Sequence, residues 1–251
     1  MAAVSLHNLT PRRPQKKSLT VFARSGLLEM IHISASLLAA DYARLGDEVI
    51  RAEKAGVDSF HFDMMDGHYV PNFAFTPNHL KSLRAYSDLP FHAHLELSNP
   101  DDVLSKFPGL QADMIIVQWN TLTDPARTFD RICSQNIKVG LGLSPNETFN
   151  ESARFFRDID MLLLLGVYPG FGGQAMQAGM LEKIASARLL ADQPDRRFTI
   201  AVDGGVKPGN ATSLVEAGVD YLIIGTALFQ SFDMAKTIRS IRESFAKSPR
   251  R

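Results

Sequence analysis

His61-Phe62-Asp63-Met64-Met65-Asp66-Gly67 is the stretch on which the reading of this chain turns. Val57-Asp58-Ser59-Phe60 leads into it and His68-Tyr69-Val70-Pro71-Asn72 follows. A β-rich run enters, and acids and histidines appear where that run should end. Alternate residues of a strand share a face, so His61 and Asp63 point the same way. An imidazole beside a carboxylate at a strand end has the chemistry to hold a metal or to move a proton. The same pair also reads as an ordinary polar strand end, and the rest of the chain decides between the two.

Outward from this stretch, strand-like and helix-like pieces alternate. The strands are predicted at Ile31–Leu38, Ser59–Met65, Phe91–Leu97, Met114–Trp119, Lys138–Leu143, Met161–Val167, Phe198–Val202 and Tyr221–Ile224. The Leu162–Leu165 run suits a strand buried on both faces. Between them, helices are predicted from Asp41 to about Ala55, at Pro77–Tyr86, from about Pro100, and at Asp124–Gln135 and Glu147–Phe156. Three more are expected from about Ala178 to Leu190, at Pro208–Ala217 and at Phe232–Phe245. Alternation of this kind makes a parallel α/β sheet, and eight units point to closure into a single TIM (β/α)8 barrel. A doubly wound open sheet is the alternative. No Gly-x-Gly-x-x-Gly follows the first strand, which counts against a dinucleotide fold.

Composition sets further bounds. With 251 residues, 27 Lys plus Arg and 27 Asp plus Glu, the formal net charge is zero. That argues against a broad nucleic-acid footprint, which needs an excess of positive charge. A single cysteine, Cys133, rules out an intrachain disulfide and a thiolate metal site. No apolar run reaches the roughly 18 residues that span a bilayer, so no membrane segment is expected and a cytoplasmic location follows. Residues 1–29 stand apart. They carry Arg12, Arg13, Lys16, Lys17 and Arg24 and no acid before Glu29. A transit peptide has that composition; so does a disordered tail, or an early start with Met30 as the working one. They are therefore expected to be an N-terminal extension, with organelle targeting left open, and the barrel is assigned to residues 30–251.

In a barrel the active site lies at the C-terminal ends of the strands. Nearly every strand delivers polar or glycine residues there. Ser36 is near the end of the first, His61 and Asp63 end the second, and His92, His94 and Glu96 share a parity on the third. Gln118 and Asn120 end the fourth. Gly170-Phe171-Gly172-Gly173-Gln174 follows the sixth, Asp203-Gly204-Gly205 ends the seventh, and Gly225-Thr226 ends the eighth. Convergence of His61, Asp63, His94 and Asp203 suits one divalent ion: zinc, iron, manganese or cobalt. Exposed glycine backbone binds phosphate, and barrels commonly place that site after strands seven and eight. A metal beside an anchored phosphate suits chemistry next to a carbonyl, with an enediolate as the intermediate. Two carboxylates on different strands, Asp63 and Asp203, can then serve opposite faces of one carbon. The reaction class is epimerisation or isomerisation of a sugar phosphate.

From Ile31 onward the chain resembles the ribulose-phosphate 3-epimerase family. The matching blocks are Ser34-Ala35-Ser36-Leu37-Leu38, His61 through Asn72, His94-Leu95 with Asn99-Pro100, Pro169 through Gln174, Val202 through Val206, and Gly225-Thr226-Ala227. The resemblance implies a ribulose-phosphate-binding barrel with one divalent metal that interconverts D-ribulose 5-phosphate and D-xylulose 5-phosphate. It implies His61, Asp63, His94 and Asp203 as metal ligands, with Asp63 and Asp203 as proton acceptor and donor. Ser36, Met65, His94, Gly170, Phe171, Gly172, Gly173, Gly204, Gly205, Gly225 and Thr226 are implied as substrate contacts. Members of the family often form homo-oligomers.

There are departures from the family pattern. Ala35 replaces a proline, His92 an aspartate, and Glu96 a methionine. Gln118-Trp119-Asn120 stands for His-x-Glu, Leu165 for a methionine, and Tyr168 for Asn, Asp or Glu. The ligands survive while part of their surroundings changes, so Glu96 and Asn120 are expected to reshape contacts to hydroxyls away from the phosphate. The rival readings are an epimerase of another ketose phosphate, such as D-allulose 6-phosphate, and a barrel that binds metal and sugar phosphate without turnover. Asp66 has the opposite parity to Asp63 and is assigned to the turn before Gly67.

Overall fold

The structure, a computed structural model, describes residues 31–108 and 110–246. The extension expected over residues 1–29 lies outside the described residues. Eight strands run in chain order: β1 His32–Ser36, β2 Ser59–Met65, β3 Phe91–Glu96, β4 Met114–Gln118, β5 Lys138–Leu143, β6 Met161–Leu165, β7 Thr199–Asp203 and β8 Tyr221–Ile224. All neighbours pair parallel, and β8 closes onto β1. The closed barrel stands, and the open sheet falls.

The helices outside it are α1 Leu45–Ala55, α2 Pro77–Leu83, α3 Pro100–Lys106, α4 Pro125–Cys133, α5 Met180–Ala191, α6 Pro208–Ala217, α7 Thr226–Phe229 and α8 Met234–Ala246. Proline opens α2, α3, α4 and α6, where its missing N–H costs nothing. Asn99 and Asp124 cap α3 and α4 by accepting from Asp102 N and Arg127 N. Asp41 caps a single turn, Tyr42–Arg44, that precedes α1.

One expectation fails. The helix predicted at Glu147–Phe156 reduces to a 3-10 turn, Ser152–Phe155. Local side-chain bonds explain this. Glu147 folds back so that its Oε2 accepts from Ser144 N at 2.6 Å, while Lys183 Nζ on α5 takes the Ser144 and Pro145 carbonyls at 2.7 and 3.2 Å. Asn146, Thr148 and Asn150 are weak helix formers and do not oppose it.

The barrel interior is divided. Met114, Ile116, Met161, Leu163, Leu165, Ala201 and Ile223 pack together inside β4 and β6–β8. The same parity on β1–β3 carries Ser34, Ser36, Ser59, His61, Asp63, His92, His94 and Glu96, all buried. Between β4 and β6, β5 contributes glycine. A Cβ on Gly142 would lie 1.8 Å from Gln118 Oε1, so only glycine leaves room for that amide.

A repeated aspartate pins the far end of the barrel. Asp58, Asp113, Asp160 and Asp220 each sit one residue before an even-numbered strand. Each donates its backbone N–H to the carbonyl of a residue on the preceding strand: Ile33, Phe91, Val139 and Ile200 respectively. Each also accepts, through Oδ2, the N–H of that same residue at 2.7–3.0 Å. Arg242, Arg84 and Arg188 pair with Asp58, Asp113 and Asp220. Asp220→Ala leaves Ile200 N–H and Arg188 without this acceptor. It should lower unfolding stability by about 1–3 kcal/mol, read as a shift of the urea midpoint at constant slope. An unchanged midpoint would remove the pin from the account.

Candidate functional site

The register of three strands builds the floor of the site. Ser36 pairs with His61, Asp63 with His94, and Met65 with Glu96. Asp63 is buried and both its oxygens are used. Oδ1 faces His61 Nε2 at 3.1 Å and His94 Nδ1 at 3.0 Å, and Oδ2 accepts from Ser36 Oγ at 3.0 Å. Asp203, the last residue of β7, brings Oδ2 to 3.8 Å from His61 Nε2. One ligand atom from each of His61, Asp63, His94 and Asp203 lies within 4.8 Å of the other three. The four residues expected to converge therefore do so.

Burial and neighbouring charge act together here. Burial alone would raise the Asp63 carboxyl, but His61 and His94 override it and hold it far below the usual carboxylate range. Burial and the Asp63 charge push Asp203 up to about 6. Burial works against the His94 imidazolium, yet Asp63 and Glu96 lift it to about 9. Glu96 rises to about 8, from burial first and from Asp63 and Asp203 next, against the pull of His94. Burial pushes His92 down to about 3, so it is neutral at ordinary pH. Among the described residues, imidazoles are the groups that pair with these acids.

Gln118 supports His94 from β4. Its Oε1 lies 3.3 Å from His94 Nε2, while its Nε2 donates to Tyr69 Oη and Ser144 Oγ at 3.2 and 3.3 Å. A carbonyl oxygen only accepts, so His94 Nε2 carries hydrogen and the imidazole is fixed in orientation. Tyr69 also donates to Asn120 Oδ1 at 3.0 Å. Sequence reasoning gave Tyr69 no role, since nothing in its spacing ties it to β4.

A cavity of about 560 Å³ opens above this floor. Ser36, Asp63, Met65, Glu96 and Asp203 line one part, and Gly170–Gly173, Gly204, Gly205, Gly225 and Thr226 another. His61 and His94 are fully buried and lie outside this lining, although His94 was expected to touch substrate as well. Gly204 and Gly205 take φ of +94° and +71°, which L side chains rarely adopt. A Cβ on Gly172 or Gly173 would lie 3.8 or 3.9 Å from Thr226 Oγ1, so the two glycine segments face each other. Of the departures, Leu165 belongs to the inner apolar cluster and Tyr168 is half-exposed at the mouth.

The loop after β2 is tied down on both sides. Asn72 Nδ2 donates to Gly170 O at 2.7 Å. Asp66 accepts from His68 N, Tyr69 N, Ser98 N and Ser98 Oγ at 2.7–2.9 Å, so it organises the turn and stays outside the ligand set. Partial burial works against the Asp66 carboxylate, but these donors outweigh it and hold the group well below the usual range.

Comparison with known proteins agrees with this geometry. Residues 32–229 match the description of the ribulose-phosphate 3 epimerase family. The chain is 37% identical over 216 residues to ribulose-phosphate 3-epimerase of Bacillus subtilis, covering 86% of this chain and 100% of that one. It is 34% identical over 225 residues to the chloroplastic ribulose-5-phosphate-3-epimerase of Arabidopsis thaliana, covering 89% and 79%. Among solved structures, orotidine 5'-phosphate decarboxylase of Pyrococcus horikoshii superposes with a TM-score of 0.61 at 15% identity, covering 86% and 100%. Phosphoribosyl anthranilate isomerase of Thermus thermophilus gives 0.61 at 15%, covering 86% and 98%. These two likenesses speak to the fold alone.

Asp66→Ala should free the loop over residues 66–75. Losing hydrogen bonds to a charged acceptor makes local opening about tenfold easier, so limited proteolysis within the loop should accelerate by that factor. The depressed carboxyl keeps the tether fully present above the unfolded value near pH 4. It is lost only as pH falls through the lower folded value. Equal cleavage of wild type and variant at pH 7 would show that Asp66 does not hold the loop.

Proposed function

The chain belongs to the ribulose-phosphate 3-epimerase family, and on that premise we propose that it interconverts D-ribulose 5-phosphate and D-xylulose 5-phosphate, with Asp63 and Asp203 as the acid and base at C3. The observation that carries this reading is the meeting of two carboxylates and two imidazoles beneath a cavity whose other wall is glycine backbone.

The donor set fits a divalent cation. Asp63 and Asp203, with the Glu96 carboxyl beside them, crowd acidic groups into a buried space whose pairing partners are imidazoles. Such a cluster is costly without a compensating cation. Carboxylate oxygen with imidazole nitrogen suits zinc, iron, manganese or cobalt. His61, Asp63, His94 and Asp203 would hold the ion, with Gln118 fixing the His94 ring. When bound, the ion polarises the C2 ketone and stabilises the charge of the enediolate.

The chain's own groups do the rest. Backbone N–H groups of Gly204-Gly205 and Gly225-Thr226, with Gly172-Gly173 facing them, anchor the phosphate. The anchored chain then presents C3 to the two carboxylates, one from β2 and one from β7. One removes the C3 proton and the other returns a proton from the opposite face. A single base tends to return the proton to the face it came from, so inversion needs both. The roles exchange with direction. The loop after β2, latched by Asn72 to Gly170, reduces the access of water to the enediolate.

A panel of five- and six-carbon ketose phosphates, assayed after chelation and metal restoration, tests the reading. Epimerisation of ribulose 5-phosphate should vanish on chelation and return with a divalent ion. Asp63→Asn and Asp203→Asn should each lower kcat/KM by about 10²–10⁴, the usual worth of a general acid or base. Full activity without metal, or in either variant, contradicts it.

A further inference from the structure

We infer that Glu96 reads the C1 hydroxyl of the ketose phosphate, accepting its hydrogen bond and so selecting substrates with a terminal hydroxymethyl group. This rests on the epimerase reading of the same cavity.

Position is the first support. The strands close in sequential order, so β3 lies four strands around the barrel from β7. The glycine backbone after β6, β7 and β8 forms one wall of the cavity, and Met65 and Glu96, register partners on β2 and β3, belong to the other. A pentulose 5-phosphate anchored at C5, with C3 over Asp63 and Asp203, has its C2 carbonyl next in line. The C1 hydroxyl ends the chain beyond C2, at the opposite end from the phosphate, which puts it towards the β2–β3 wall.

Burial and pairing are the second support. Glu96 lines the cavity at 3% exposure, and its Oε2 is buried without a hydrogen-bond partner. Its Oε1 stands 3.8 Å from His94 Nδ1, beyond hydrogen-bond reach. Buried carboxyl oxygens are costly to leave unpaired, so an orphan of this kind marks where a donor belongs. The neighbours offer no comparable acceptor. Met65, Leu165 and Ile223 are apolar, Ser36 donates its hydroxyl hydrogen to Asp63 on β2 and accepts only as a neutral hydroxyl, and the two aspartates are committed to the C3 proton. A methionine at this position, as in the family pattern, cannot accept such a bond with comparable strength.

The test compares two ketoses that differ only at C1, D-xylulose 5-phosphate and 1-deoxy-D-xylulose 5-phosphate, on the full, metal-loaded chain. Wild type should favour the hydroxylated substrate in kcat/KM. Glu96→Met should cut that preference by roughly 3- to 10-fold, the net worth of a single hydrogen bond. Glu96→Gln, which keeps an acceptor oxygen, should retain most of it. Calorimetric titration with xylitol 5-phosphate and its 1-deoxy counterpart gives the same comparison without turnover. Glu96→Leu replaces Glu96→Met if the latter does not melt cooperatively. An unchanged ratio in the apolar variant, or a loss equal for both substrates, overturns the assignment. A wild-type protein that holds its ion yet epimerises neither ketose overturns the epimerase reading instead, and the polyol pair still decides the role of Glu96.

Discussion

Asp63 is a carboxylate at 3% exposure whose two oxygens meet three partners, His61 and His94 on Oδ1 and Ser36 on Oδ2. A buried charge lacking such partners costs several kcal/mol even after the protein relaxes. The strands that supply them are therefore constrained. Ser36 must end β1 beside His61, and His94 must stand opposite Asp63 on β3. A slip of one residue would turn the set towards the helices. The remaining features follow from this arrangement. Gln118 orients His94, Gly142 makes room for Gln118, and the apolar packing is confined to the opposite half of the barrel interior.

That division of the interior links packing to chemistry. On β4 and β6–β8 the inward side chains beneath Gln118 and Asp203 are apolar and give the barrel a packed core. On β1–β3 the same positions are given over to polar groups, with the orphaned Ser34 Oγ, Ser59 Oγ, His61 Nδ1 and His92 Nδ1 among them. Stability is recovered outside the strands, where a continuous apolar layer lies under the helices, and at the far end, where Asp58, Asp113, Asp160 and Asp220 pin alternate strands. The site is thus polar on a rigid support, which keeps its groups in position.

Much of this was legible in the sequence. Met161–Val167 read as a strand whose Leu162–Leu165 run suits burial on both faces, and the parity of His61 with Asp63 and of His92, His94 and Glu96 placed them on one face. The helix after β5 misled, because Glu147 bonds back to Ser144 and Lys183 reaches in from α5, contacts that no local propensity reports. The pinning aspartates carried no reading in the sequence; their recurrence one residue before every even strand was the available signal. Tyr69 and the unpaired Glu96 oxygen depend on how loops and rotamers settle, which strand parity does not specify.

The account turns on proton exchange at one carbon. The direct measurement is proton NMR of D-ribulose 5-phosphate incubated with the metal-loaded protein in D₂O. The account predicts that both epimers gain deuterium at C3, because an Asp63 or Asp203 carboxyl exchanges with solvent before returning its proton. A protein that carries its ion and binds the ketose phosphate, yet leaves the C3 hydrogen in place, contradicts it.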